Sequence, residues 1–213
     1  MPELIYRDDQ IAVINKPPGL LSVPGKGPDK QDCVSRYIKE AFPCSIEQPS
    51  VHRLDMDTSG LMVFALTADA HRHLSVQFQK RQVNKKYIAL VDGHLKDTSG
   101  RIELKFRLDP ENRPMQVYDP LQGKAGITEW KRLSTEGALT RIEFIPLTGR
   151  THQLRVHSAH KLGLGCPIAG DRLYGSGAAL SSRYERMMLH ASELGFIKPG
   201  TNSRLFFELN PEF

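Results

Sequence analysis

The sequence predicts an α+β fold built on a mixed, mainly antiparallel sheet flanked by helices, and three observations predict it. Short apolar runs punctuated by Gly, Pro, Asn and Asp recur along the 213 residues, the mark of strands joined by turns. Helical periodicity appears in only a few isolated places, so strands and helices do not alternate as a parallel βαβ sheet requires. Ile102 to Phe106, Ile127 to Trp130 and Thr140 to Ile145 each alternate apolar and polar residues with the two-residue period of half-buried strands.

Leu4 to Tyr6 and Ile11 to Asn15 read as two strands around the turn Arg7-Asp8-Asp9-Gln10, and Pro17-Pro18-Gly19 ends the second. After a Pro/Gly loop through Pro28, the spacing of Val34, Tyr37, Ile38 and Ala41 predicts a helix over about Asp32 to Phe42. Pro43 to Ser50 reads as loop. Leu61 to Leu66 is a strand, and Thr67 is placed to cap a helix whose stripe is Ala70, Leu74 and Phe78. Tyr87 to Val91, Ile102 to Phe106, Ile127 to Trp130 and Thr140 to Ile145 are further strands, with turn signals at Gly123, Gly126 and Gly137. A helix is expected from near Thr151 to Gly163. Leu189 to Ile197 and Leu205 to Leu209 close the chain as strands, with no helix long enough to make them a parallel crossover. The length and the 39% hydrophobic content suit one domain over residues 1–213, or two lobes sharing a sheet.

The first residues lack the basic and apolar regions of a signal peptide, and no apolar run approaches membrane-spanning length, so a cytoplasmic protein without a membrane partner is expected. Cys33, Cys44 and Cys166 are odd in number and widely spaced, which argues against a disulfide framework and a zinc site. Neither His71 with His73 nor His152 with His157 has the i, i+4 spacing that sets two imidazoles on one helix face, so no metal is expected. A formal charge of +5 and a pI near 9.1 point to a polyanionic partner, because Lys and Arg that neutralise phosphates release condensed counterions. The cations cluster at Lys80-Arg81, Lys85-Lys86, Arg101 to Arg107 and Arg150 to Arg155.

The most informative segment is His52-Arg53-Leu54-Asp55-Met56-Asp57-Thr58-Ser59-Gly60, which sets an acid beside bases in a turn-forming run just before an apolar strand. Such a turn lets a rigid sheet present a carboxylate to a substrate. Asp and Ser also cap turns in ordinary loops, so this segment alone leaves a structural role open. Four more motifs follow the same order as in one known family: Asn15-Lys16-Pro17-Pro18-Gly19-Leu20, Lys85-Lys86-Tyr87-Ile88-Ala89, Thr148-Gly149-Arg150-Thr151-His152-Gln153-Leu154-Arg155-Val156-His157, and Pro167-Ile168-Ala169-Gly170-Asp171-Arg172-Leu173-Tyr174-Gly175. Together with His-Arg-Leu-Asp and Thr-Ser-Gly they resemble the RluA family of pseudouridine synthases over most of the chain.

The resemblance implies the pseudouridine synthase catalytic fold, a bent, largely antiparallel sheet with a central cleft. It also implies an RNA isomerase that needs no cofactor or metal. It implies Asp55 as the catalytic carboxylate, Arg150 as its partner cation, and Tyr87 as the residue that stacks on uracil and moves a proton. A carboxylate that stays charged where water is excluded needs such a cation, and a guanidinium forks onto both oxygens. Arg53 is placed to fill the gap left by a flipped uridine, His52 to buttress the turn, and Leu154 to pack on the base. The short N-terminal segment and Gly19-Leu20-Leu21-Ser22-Val23-Pro24-Gly25 resemble compact members that modify the tRNA anticodon loop and a loop of 23S rRNA, with no extra RNA-binding domain. The chain is then expected to act as a monomer with no obligate protein partner. Two rivals are a non-catalytic RNA-binding module and a metal-independent RNA or nucleoside hydrolase using Asp55 with His52 or His152. The first is disfavoured by the presence of both Asp55 and Tyr87, the second by the lack of a paired carboxylate.

Overall fold

The computed structural model describes residues 1–175 and 183–213. The chain divides into two compact units, one made of residues 1–85 with 190–212 and the other of residues 86–189 with Phe213. Both are α+β.

The first unit holds β1 (Glu3–Arg7), β2 (Ile11–Lys16), α1 (Val34–Ala41), β3 (Ser59–Ala65) and α2 (Ala68–Gln79), with most of β9 (Leu189–Ile197) and β10 (Arg204–Glu208). Ile11 to Ile14 and all seven residues of β3 are buried, which is why these strands read as continuous apolar runs rather than as alternation. β1 pairs with β2, β2 with β3, and β10 with β9, all antiparallel. Ile11, Val13, Leu61, Val63, Leu194 and Phe196 form the core with Ala70 and Leu74 of α2. Thr67 caps α2 as expected, its Oγ1 accepting from the Ala70 N–H at 3.2 Å. Gln77 is buried on that helix, a polar residue the apolar stripe did not foretell. Its amide donates to Ile197 O at 2.9 Å and accepts from Ile197 N–H at 2.7 Å, completing the strand's hydrogen bonding.

One expectation fails here. β9 pairs parallel with β3, Ser59 with His190 and Gly60 with Ala191. The connection between the two strands is a long segment of mixed structure, not a single helix. Gly60 suits the pairing because its φ is +111° and a Cβ there would lie 2.3 Å from Ala191 O. Ser59 Oγ lies 2.8 Å from His190 Nδ1 at the same place.

The second unit holds most of β4 (Asn84–Asp92), then β5 (Ser99–Leu108), β6 (Gln116–Tyr118), β7 (Lys124–Glu136), β8 (Leu139–Pro146) and α3 (Gln153–Ala159). The strand order is β4-β8-β7-β5-β6, antiparallel throughout. In β5 the alternation is realised residue by residue: Ile102, Leu104 and Phe106 are buried, Arg101, Glu103 and Lys105 exposed. These three apolar residues pack with Ala89, Val91, Trp130, Ile142 and Phe144. Gly126 is a second correction. It lies inside β7 rather than in a turn, where a Cβ would fall 2.6 Å from the Phe106 ring. α3 is also shorter than expected, because His160 leaves the helical region with ψ 138° and the chain turns back so that Leu164 N–H bonds His157 O at 2.9 Å. β6 carries no strand signal beyond three residues and was not foreseen.

Candidate active site

In the first unit, His52, Arg53 and Asp55 share one turn, and its backbone is bonded to the Asn-Lys-Pro-Pro-Gly-Leu segment. Lys16 is fully buried at the end of β2, and its ammonium donates to Pro17 O at 2.9 Å, Leu20 O at 2.7 Å and Met56 O at 2.7 Å. Three carbonyls facing three ammonium hydrogens offset the cost of burying the charge. Gly19 N–H also donates to Met56 O, at 2.9 Å. One residue before Asp55, Leu54 is held from the other side: its N–H donates to Ser22 Oγ at 3.0 Å, and the same hydroxyl donates back to Leu54 O at 2.7 Å. Thr58 N–H closes the turn onto Asp55 O at 3.1 Å. The residues flanking Asp55 on both sides are thus fixed to an earlier segment.

His52 sits at the base of this turn. Its Nε2 accepts from Val63 N–H of β3 at 3.1 Å, and its ring stacks on Phe78 with centroids 4.4 Å apart. Burial, aided by the neighbouring Lys85 ammonium, pulls its pKa down to about 3, so the ring is neutral at pH 7 and keeps the lone pair that Val63 needs. The Arg53 side chain is exposed, and Asp55 and Asp57 are half-buried.

In the second unit, Tyr87 lies on β4 opposite Phe144 of β8, half-buried and packed against the core. Arg150 sits in the turn before α3, exposed, its Nε donating to Ala125 O of β7 at 3.3 Å. That turn is tied down by Gln153, whose Oε1 accepts from Thr148 Oγ1 at 2.6 Å and Arg150 N–H at 3.0 Å while its Nε2 donates to Ile127 O and Thr128 Oγ1 of β7, each at 2.9 Å. Leu154 is buried among the core side chains of this unit. Arg155 grips Asp171 through two bonds of 2.8 and 2.7 Å with both side chains buried. Its guanidinium also lies over the Tyr174 ring at 5.2 Å, and this links the two C-terminal motifs.

The residues that sequence reasoning missed are those that hold the turns. Lys16, Ser22, Gln153 and Asp171 were quoted within motifs without a role. A polar side chain at the inner end of an apolar strand, as at Lys16, is the available signal, since a buried polar group must find partners. Among the described residues no three His, Cys, Asp or Glu side chains gather as a metal site, and no helix is long and apolar enough to cross a membrane.

The fold and the motif-bearing turns define a class. The family model described as RNA pseudouridylate synthase matches residues 10–160. The solved structure of human RNA Pseudouridylate Synthase Domain Containing 1 superposes with a TM-score of 0.81 at 29% identity, covering all of this chain and 84% of the other. Human RNA Pseudouridylate Synthase Domain Containing 4 gives 0.77 at 26%, covering 99% and 89%. In sequence, the Dual-specificity RNA pseudouridine synthase RluA of Yersinia pestis is 42% identical over 99% of both chains. The protein of that name from Escherichia coli K12 is 41% identical over 99% of this chain and 93% of its own. The chain belongs to the RluA family of RNA pseudouridine synthases, which are RNA isomerases.

Proposed function

We propose that the enzyme isomerises uridines in structured RNA loops, the tRNA anticodon loop and a 23S rRNA loop, with Asp55, Tyr87 and Arg150 as its catalytic residues. The observation that carries this reading is the turn that holds Asp55, bonded on both sides to a buried lysine and a buried serine. A carboxylate on so fixed a turn meets the demand for near-attack geometry without a mobile loop. The target loops rest on the resemblance to compact family members.

The reaction breaks the N1–C1′ bond of uridine, rotates the uracil and joins C5 to C1′; the hydrogen leaves C5 and N1 gains one. Asp55 supplies the carboxylate that assists bond cleavage at the sugar, Arg150 keeps it charged, and Tyr87 stacks on the ring and handles the proton. The uridine must leave its stack at a cost of roughly a few kcal/mol, and Arg53, exposed two residues before Asp55, takes its place among the remaining bases. Leu154 supports the base from α3 and His52 supports the turn. The enzyme works in this reading as a cytoplasmic monomer, with RNA as its partner.

The decisive measurement is tritium release from stem-loop RNA labelled at uracil C5. Asp55→Asn and Asp55→Ala are expected to abolish release while retaining most RNA affinity, since phosphate contacts dominate binding. Near-normal release by either variant would remove Asp55 from the mechanism. RNA chain shortening or free uracil would point to a hydrolase instead.

A further inference from the structure

In the second unit β6 and β7 lie on opposite sides of β5, and both are paired opposite Phe106, through Tyr118 and Lys124. Residues 119–123 therefore have to cross β5, about 10 Å from one neighbouring strand to the other. The crossing is built as a rigid turn. Asp119 N–H donates to Lys105 O of β5 at 2.9 Å, its Oδ1 accepts from the N–H groups of Leu121 and Gln122 at 3.0 and 2.9 Å, and its Oδ2 accepts from Arg107 Nε at 2.6 Å. Gly123 N–H closes on Asp119 O at 2.9 Å, and Gly123 lies so near β5 that a Cβ there would fall 2.5 Å from Phe106 N. Pro120 removes further backbone freedom.

What this turn displays is a leucine: Leu121 is 91% exposed. A single exposed apolar side chain needs no explanation on a loose loop. Here the surrounding bonds already fix its backbone, so little ordering remains to oppose a contact. The surroundings are cationic. Lys105 and Lys124 flank the turn with exposed side chains, and among the described residues neither meets a carboxylate; the nearby Glu103 and Asp119 are taken by Arg101 and Arg107. Arg150 Nε donates to Ala125 O, and Ala125 follows Leu121 so closely in the chain that Leu121 lies within about 14 Å of that bond.

We propose that Leu121 is an apolar prong for the RNA: it packs on the face of an unpaired base near the reacting uridine, while Lys105 and Lys124 hold phosphates on either side. An apolar side chain for a base, flanked by cations for the backbone, is the combination that unpaired RNA requires. One leucine offers too little area for a stable protein interface, which takes roughly 800 Å² per partner. The inference rests on the action on RNA loops proposed above, but the contact itself needs no turnover.

Fluorescence anisotropy in the Asp55→Asn background tests it, on the anticodon stem-loop and on a fully paired duplex of equal length. Leu121→Ser should weaken stem-loop binding about fivefold and duplex binding hardly at all, whereas Leu121→Met should stay within about twofold on both. Both variants should melt with the parent, since the side chain is exposed. Lys105→Gln and Lys124→Gln should each weaken both RNAs and lower the salt slope by about one. Benzoylphenylalanine in place of Leu121 should crosslink to an unpaired loop nucleotide. Unchanged stem-loop binding by Leu121→Ser, an equal loss on both RNAs, unchanged salt slopes in the lysine variants, or crosslinks confined to the stem would each overturn the prong. Crosslinks between two copies of the chain would assign Leu121 to a protein contact and overturn it as well. Tritium release by the parent checks the proposed function separately: a parent that binds the stem-loop without releasing tritium overturns that reading, and the binding comparison still decides the prong.

Discussion

Lys16 Nζ donates to the carbonyl oxygen of Met56 at 2.7 Å, so the residue next to Asp55 is bonded to the end of a strand forty positions earlier. Lys16→Met keeps much of the volume but leaves the carbonyls of Pro17 and Leu20 without the ammonium and Met56 O with the Gly19 N–H in place of two donors. The expected loss of stability is roughly 2–4 kcal/mol. Urea unfolding would measure it. A loss below about 1 kcal/mol would mean that water replaces the ammonium.

The Arg155–Asp171 pair is buried on both sides, so removing one partner breaks a desolvated, doubly bonded ion pair. Asp171→Ala should cost about 3–5 kcal/mol, whereas Arg155→Met combined with Asp171→Leu should recover part of that, because desolvation of the ion pair is removed while the N–H groups of Leu173 and Tyr174 still lack their acceptor. Denaturation of the three variants supplies the comparison. A double variant as unstable as Asp171→Ala would contradict the argument.

His157 gives the fold a defined response to acid. It is fully buried, edge-on to Phe106, and burial pulls its pKa down to about 4. The unfolded chain, with its histidine titrating near 6.5, takes up the proton first as pH falls. Stability is therefore complete above pH of about 6.5 and declines until about 4, by roughly 3 kcal/mol in all. His157→Gln should flatten the slope in that window, leaving the part due to His52. A parent protein equally stable at pH 7 and pH 4.5 would show that His157 is protonated in the fold.

Arg53→Ala should impair the enzyme on a native stem-loop more than on an unstructured oligomer of the same sequence, since only the stacked loop carries the flipping cost of roughly a few kcal/mol. Single-turnover rates on both RNAs are the readout. An equal loss on both would assign Arg53 to phosphate binding or to the reacting base.

The motif order made the family legible, and local patterns located the elements with strong periodicity. Ile102 to Phe106 alternates because one face of β5 is buried, and Leu61 to Leu66 reads as an apolar run because β3 is covered on both sides. What escaped was long-range. The parallel pairing of Ser59 with His190 and the grip of Gln77 on Ile197 join residues more than a hundred positions apart, and no local period records them. β6 escaped because three residues are too few for a pattern, and Gly126 was misread because a glycine needed for close approach to Phe106 looks like a glycine needed for a turn.

The discontinuity of the first unit has a consequence for biosynthesis. Its strand β9 is synthesised only after the whole of the second unit, yet β3 needs it as a neighbour. A ribosome that has released residues 1–85 has therefore produced a sheet with one open edge strand whose residues are all buried in the finished fold, and such an edge invites pairing with other chains. A chain truncated after residue 189 lacks β9 and should show less protease protection over residues 1–85 than the full chain does.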